Sequence, residues 1–223
     1  MTGINTTFAD LVGCSVPIQL AGMGPVCSDE LCEAVSEAGG LGMITVAATS
    51  SGASPIRSWC TCALSDAIVS WQVGSTAEAV AAHRAGCDFI IAQGIEAGGH
   101  IRGSLGVLPL LSQVLDKVTI PVLAAGGIGS GRALAAVLAA GAAGARCGTR
   151  FVAATESGAH PVYVDALIAA QAEDSVRTNL YHVGCPLCPS THGVLRSAIE
   201  AAQELRDEIV CSANPGVTEA VLL

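Results

Sequence analysis

His100 ends the string Gln93-Gly-Ile-Glu-Ala-Gly-Gly-His100, a glycine-rich loop that follows the apolar run Asp88-Phe-Ile-Ile-Ala-Gln93. An imidazole takes or gives a proton near neutral pH, so a histidine presented on such a loop is a candidate general base. A surface histidine is the alternative on residue type alone, and the loop's place at the end of an apolar run is what favours chemistry. Two further glycine-rich turns lie one strand–helix unit apart, Ala124-Ala-Gly-Gly-Ile-Gly-Ser-Gly131 and Cys147-Gly-Thr-Arg150. Glycine lets the backbone approach an anion closely, and the amides at a helix start hold a phosphate. In a chain with 26 glycines, plain tight turns are the competing account. Two such turns at successive strand ends favour a phosphate cradle. No Gly-x-Gly-x-x-Gly follows the first strand, which argues against a dinucleotide-binding domain of that type.

Other groupings carry less. His182-x-x-Cys185-x-x-Cys188-x-x-x-His192 has the residue types of a zinc site. Gly184, Pro186 and Pro189 make it a turn-rich segment, and no metal is assigned to it. Cys185-x-x-Cys188 lacks the strand–helix context of a redox pair. Cys60-x-Cys62 reads as packing rather than ligation, His83 as a solvated helix residue and His160 as the entry to a helix. Glu96 either orients His100 or is an exposed loop carboxylate. Trp59 and Trp71 read as core.

The elements that must carry these turns alternate in period. Val16–Ala21, Leu41–Ala47, Ala67–Val73, Asp88–Gln93, Pro121–Ala125 and Ala145–Cys147 read as strands. Helical stretches are expected at Ser28–Ala38, Ser75–Ala85, Val107–Asp116 and Gly131–Ala140. Ser75 and Glu78 have capping-box spacing. Near-continuous apolar strands alternating with helices indicate a parallel sheet covered by helices, an α/β class. The stretch 48–66 is an irregular insert rich in Ser, Gly and Pro. Beyond residue 156 the pattern turns helical, at Pro161–Ala172 and Val194–Ile209. A single domain is expected, with a barrel-like region over 1–156 and a helical segment over 157–223 packed on it.

The 223 residues are 51% apolar but only 3% aromatic and 13% charged, with a net charge of −9. Ten scattered Lys and Arg are too few to displace phosphate counterions, which sets nucleic-acid binding aside. No uncharged stretch offers the ~20 predominantly apolar residues of a membrane span. The N-terminus has no basic region followed by an apolar run. A cytoplasmic protein is the expectation, and the ten cysteines then read as reduced, mostly buried small apolar residues.

Taken in order, Pro17-Ile-Gln-Leu-Ala-Gly-Met23, Gly39-Gly-Leu-Gly42, Ala92-Gln-Gly-Ile-Glu-Ala-Gly-Gly-His100, Ala124-Ala-Gly-Gly-Ile128 and Gly148-Thr-Arg-Phe151 resemble the nitronate monooxygenases, formerly called 2-nitropropane dioxygenases. The likeness runs from about Phe8 to Ala198, with Glu156-Ser-Gly-Ala-His160 extending it past the barrel. The Gln93–His100 string is shared with the flavin-dependent enoyl-acyl-carrier-protein reductases. The resemblance implies a TIM-type (β/α) barrel and FMN as cofactor. By position, Gln93 and Gly98 would contact the flavin, and Met23 would lie along its ring. Gly126 and Gly127, with Arg146, Cys147, Gly148 and Thr149, would cradle the phosphate. His100 matches the family's catalytic histidine, which takes the proton next to the nitro group or holds the nitronate. The implied reaction takes an alkyl nitronate or nitroalkane and O2 to a carbonyl compound and nitrite.

The chain also departs from the family. Six strands are legible where the barrel has eight, and the two missing units fall between Val46 and Ile68, together with the third-strand asparagine that the family brings to the flavin. Open sheet edges are normally paired or covered. Residues 48–66, a partner chain in a homo-oligomer, or nothing would close the gap. Two further readings therefore stand beside the oxidase: an enoyl-thioester reductase using NAD(P)H, and a non-catalytic flavin-binding homologue.

Overall fold

The computed structural model describes residues 4–43, 68–180 and 191–212. Its core is a five-stranded parallel sheet: β1 (Ile18–Leu20), β2 (Ser70–Val73), β3 (Phe89–Gln93), β5 (Val122–Ala125) and β6 (Gly144–Cys147) stand in the spatial order β1-β6-β5-β3-β2. Leu41 adds a parallel bridge to Gln19 on the outer side of β1. The expected strand at Leu41–Ala47 is thus seen only at its first residue, and positions 44–47 lie outside the described residues, as does the insert 48–66. The other five expected strands are present.

Three of the sheet-covering helices begin where a serine hydroxyl accepts an end amide. Ser28 Oγ accepts from Leu31 N ahead of α2 (Asp29–Glu37), Ser75 Oγ from Glu78 N ahead of α3 (Thr76–Arg84), and Ser130 Oγ from Ala133 N ahead of α5 (Gly131–Ala139). The capping box at α3 is modified: the Glu78 carboxylate accepts from Gly74 N, one residue before the cap, at 2.7 Å. In α4 (Val107–Leu115), Val107, Leu110, Leu111 and Val114 are buried at the i, i+3, i+4, i+7 spacing of an inward stripe.

All five residues of β3 are buried because both faces of the sheet are covered. On the outer face Ile90, Ala92, Val122, Ala124, Ala145 and Cys147 pack with the helix stripes. On the inner face Phe89, Ile91, Leu123, Ala125 and Ala143 meet Phe8. Phe8 comes from α1 (Thr7–Val12), a helix the sequence pattern does not reveal, and crosses Phe89 edge-on with ring centroids 5.2 Å apart. A Cβ at Gly144 would stand 3.2 Å from the Phe8 ring and 2.7 Å from the Pro17 carbonyl, so this strand position needs glycine to let the base of the barrel close.

The largest difference from the expected pattern is a second sheet. β4 (Gly99–Ile101), β7 (Ser175–Thr178) and β8 (Thr191–Leu195) form an antiparallel sheet in the order β4-β8-β7. His100 therefore sits on a strand rather than an irregular loop. Two strands occupy the region read as helical, between α7 (Pro161–Ala169) and α8 (Arg196–Ser212), and Val194 and Leu195 belong to β8. The short α6 (Thr149–Val152) follows β6 directly. Among the described residues no helix is long and apolar enough to cross a membrane.

Candidate functional site

The C-terminal ends of β1, β6, β5 and β3 converge, and their loops touch. A Cβ on Gly126 would stand 2.9 Å from Ala97 N and 3.1 Å from Gly94 O, and one on Gly127 would stand 3.2 Å from Glu96 Cβ. Both have positive φ, 108° and 69°, so the turn after β5 owes its glycines to backbone shape as well as to close approach. The turn after β6 meets the β3 loop at Gly98, where a Cβ would lie 2.5 Å from Thr149 Oγ1. It meets the β1 loop at Gly148, whose Cβ would lie 3.2 Å from Met23 Sδ. Met23, Gly98, Gly126, Gly127, Gly148 and Thr149, all expected at one site, are thus brought together.

Around this cluster the turns are open where a phosphate would need them to be. A Cβ at Gly129 or Gly131 would meet nothing within 4 Å, which leaves the entrance of α5 unobstructed. A phosphate-bearing planar cofactor such as FMN fits this arrangement. The α5 start and the Gly148–Thr149 backbone are the parts that would hold its phosphate.

Three expected contacts take a different form. Gln93 is 5% exposed and its carboxamide is engaged: Nε2 donates to the His100 carbonyl at 2.7 Å and Oε1 accepts from Arg102 N at 3.0 Å. Its side chain clamps β4 across the mouth and holds His100 in place. Cys147 points outward into the helix-side core, where burial pushes its thiol up to about 11 and leaves it protonated and unreactive. Arg146 turns inside the barrel, where its Nε donates to Gln19 Oε1 at 2.9 Å and its Nη1 to Gln72 Oε1 at 3.1 Å. Any part Arg146 and Cys147 play in a cradle falls to their backbone. Burial pushes the Arg146 guanidinium down to about 10, so it stays charged at neutral pH.

His100 is exposed and lies directly opposite His192 in the β4–β8 register. The two imidazoles are 4.6 Å apart at their centroids and tilted by 57°. His192 is 6% exposed, so His100 has a fixed aromatic wall on its core side and solvent on the other. Glu96 does not orient His100: both its oxygens accept from Val107 N, at 3.1 and 3.0 Å, and so cap α4. Of the zinc-like grouping only His192 is described; His182, Cys185 and Cys188 lie outside the described residues, as do Trp59, Cys60 and Cys62. Among the described residues no three His, Cys, Asp or Glu side chains gather as metal ligands.

Sequence reasoning missed Gln19 and Gln72, and met His192 only in the zinc-like grouping, with no signal that it stands beside His100. Gln19 had a signal, since it is the one polar residue of the short apolar strand Ile18–Leu20 and is 3% exposed; Gln72 had less, in a half-buried strand that also holds Ser70. His192 had none, because its role depends on a pairing across more than ninety residues of chain.

The sequence model of the family described as nitronate monooxygenase matches residues 60–183, more than half of the chain. A probable nitronate monooxygenase of Staphylococcus saprophyticus is 40% identical over 146 residues, which is 60% of this chain and 39% of that protein. One from Staphylococcus aureus is 42% identical over 117 residues, 48% of this chain and 33% of that one. The chain therefore spans well under half the length of the curated relatives it matches. Among solved structures, FabK from Thermotoga maritima superposes with a TM-score of 0.77 at 31% identity, over 86% of this chain and 75% of that one. Nitroalkane oxidase from Streptomyces ansochromogenes does so with a TM-score of 0.64 at 26% identity, over 79% and 76%.

Proposed function

The chain belongs to the nitronate monooxygenase family, and from that premise we propose that it binds FMN at the C-terminal mouth of its barrel and oxidises alkyl nitronates with O2 to a carbonyl compound and nitrite. The observation that carries this reading is the convergence of both glycine turns, Met23 and the His100 strand at one end of the sheet.

Bound there, FMN supplies the electron-accepting chemistry that no side chain can. The chain's own part is positional and electrostatic. The backbone at Gly126, Gly127, Gly148 and Thr149 would hold the phosphate, and Met23, beside Gly148, would give the ring an apolar support. Gln93 spends its whole carboxamide on the backbone of His100 and Arg102, so it fixes where the imidazole stands. His192 backs that imidazole and limits its tilt. His100, solvent-facing, takes the proton from the carbon next to the nitro group of a neutral nitroalkane, or hydrogen-bonds a nitronate that arrives already deprotonated.

The test is the visible absorption spectrum of the purified protein, with the released cofactor identified by mass. About one FMN per chain, followed by nitronate-dependent oxygen uptake, is the expected result. NAD(P)H oxidation driven by an enoyl thioester, without nitronate turnover, assigns the reductase reading instead. A colourless protein that takes up no added FMN leaves a homologue without the chemistry.

A further inference from the structure

Arg146 is a largely desolvated cation that meets no anion among the described residues. Its guanidinium reaches across the inside of the barrel from β6 to Gln19 on β1 and Gln72 on β2, and both partners are neutral carbonyls. Among the described residues the one ion pair between side chains is Arg102–Glu78, elsewhere on the molecule. Burial lowers the Arg146 pKa to about 10, and the two glutamine oxygens are the partners that offset the loss of water. A charge taken out of water without a counter-charge is strongly unfavourable, and a glutamine or methionine would fill the space without that cost. The charge itself therefore needs an explanation.

Its place supplies one. Arg146 stands in register with Ala125, and Ala125 with Gln93, in the top layer of the barrel. That is the layer from which Gln93 grips the His100 strand. Part of the residue keeps contact with solvent, and it stands at the mouth end of β6. The two glutamines fix the guanidinium plane through Nε and Nη1, while the Nη2 donors take no part in either bond.

We infer that Arg146 is the receptor for a small planar anion, a carboxylate or a nitronate, entering the mouth of the barrel. Both ions carry two oxygens that share one negative charge in a plane, the shape a guanidinium fork matches with two parallel hydrogen bonds. The inference deepens the proposed function and rests on it for the nitronate alone, since an anion site would exist for a carboxylate in any case. It also sets a preference: the anionic nitronate is received directly, whereas a neutral nitroalkane gains nothing from the charge until His100 has taken its proton.

The experiment titrates the purified protein, with whatever cofactor it carries, with sodium propionate against sodium chloride at matched ionic strength. Binding is followed by calorimetry and by thermal unfolding. Wild type is expected to show saturable propionate binding. Arg146→Gln should raise the dissociation constant about 30-fold or more, as loss of one partner of a buried charged pair does. Arg146→Lys should recover only part of it, since an ammonium cannot offer the fork. Arg146→Gln should melt no lower than wild type without ligand, because it removes an uncompensated charge, and Arg146→Lys keeps the test open if it does. Equal propionate affinity in wild type and Arg146→Gln overturns the inference, as does FMN leaving in step with propionate affinity, which assigns the charge to the cofactor. Propionate binding through Arg146 in a protein that oxidises no nitronate leaves the receptor standing and sinks the oxidase. Nitronate oxidation by Arg146→Gln at the parental KM does the reverse.

Discussion

At the scale of single residues, His100 is a base held by its neighbours. Gln93 holds its backbone and His192 backs its ring, so the imidazole stands at a fixed place on the exposed face of β4. Replacing it with alanine should leave FMN content unchanged and slow oxidation of a neutral nitroalkane by about 10²- to 10⁴-fold, the usual contribution of a positioned general base. Preformed nitronate should suffer much less, because its proton is already gone. Parallel rate profiles of the variant on the two substrate forms decide it, and equal losses on both would mean that His100 positions substrate without moving a proton. The residues that could touch substrate were legible in the sequence because glycine and histidine announce themselves in an alanine-rich chain. The direction of each side chain was not. Gln93, Arg146 and Cys147 share the strand ends assigned to the cofactor, yet one grips β4, one crosses the barrel and one faces the helices. In a strand the face alternates with every residue, so an assignment by position alone cannot separate a backbone role from a side-chain role.

Among the elements, local signals and long-range pairing separate cleanly. Helices α2 to α5 were legible because caps and apolar stripes lie within a few residues of one another. The sheet β4-β8-β7 was not, because its strands are three to five residues long and two of them are more than seventy residues from the third. Within the legible part, the turn after β5 makes a sharp demand. Gly127→Val places a β-branched residue at a φ of 69° and 3.2 Å from Glu96 Cβ. It should cost about 1–3 kcal/mol of stability and should abolish FMN retention, read as flavin per chain after gel filtration. Full occupancy in the variant would remove Gly127 from the cradle. A second element-level expectation concerns the start of α3. Burial raises the Glu78 carboxyl, but the hydrogen bond from Arg102, the Gly74 amide and the Arg102 charge outweigh it, and the net effect lies below the ordinary carboxylate value. A group depressed on folding contributes stability above its unfolded pKa of about 4.3 and loses it as pH falls through the folded value. Wild type and Glu78→Gln should therefore differ in urea midpoint at pH 6 and converge near pH 3. The gap should stay under about 1 kcal/mol and narrow in salt, since the pair is a third exposed, 38% at Arg102 and 33% at Glu78. A gap that widens in acid would contradict the assignment.

For the molecule as a whole, the question is what keeps the five described strands in the curvature of a barrel. Two contacts inside the arc answer it. Near the mouth, Arg146 ties β6 to β1 on one side and to β2 on the other, and β2 is the strand at the far end of the sheet order. At the base, Phe8 from α1 fills the space between Phe89, Ile91, Leu123 and Ala143 and is fully buried. The mouth contact is electrostatically expensive and is explained by a ligand; the base contact is apolar and bears the stability. Phe8→Ala should accordingly cost about 3–5 kcal/mol, the range for a fully buried aromatic whose cavity cannot collapse. In urea the midpoint should fall while the slope stays constant, because the same surface is exposed on unfolding. FMN affinity should fall with it only if the base sets the spacing of the strand ends above, so flavin retention in Phe8→Ala measures how rigidly the arc transmits its curvature to the mouth. A loss under about 1 kcal/mol would mean that Phe8 lies against a base already held shut by other contacts. The curvature would then rest on the strands and the helix layer alone, and the demand for glycine at 144 would fall to the Pro17 carbonyl.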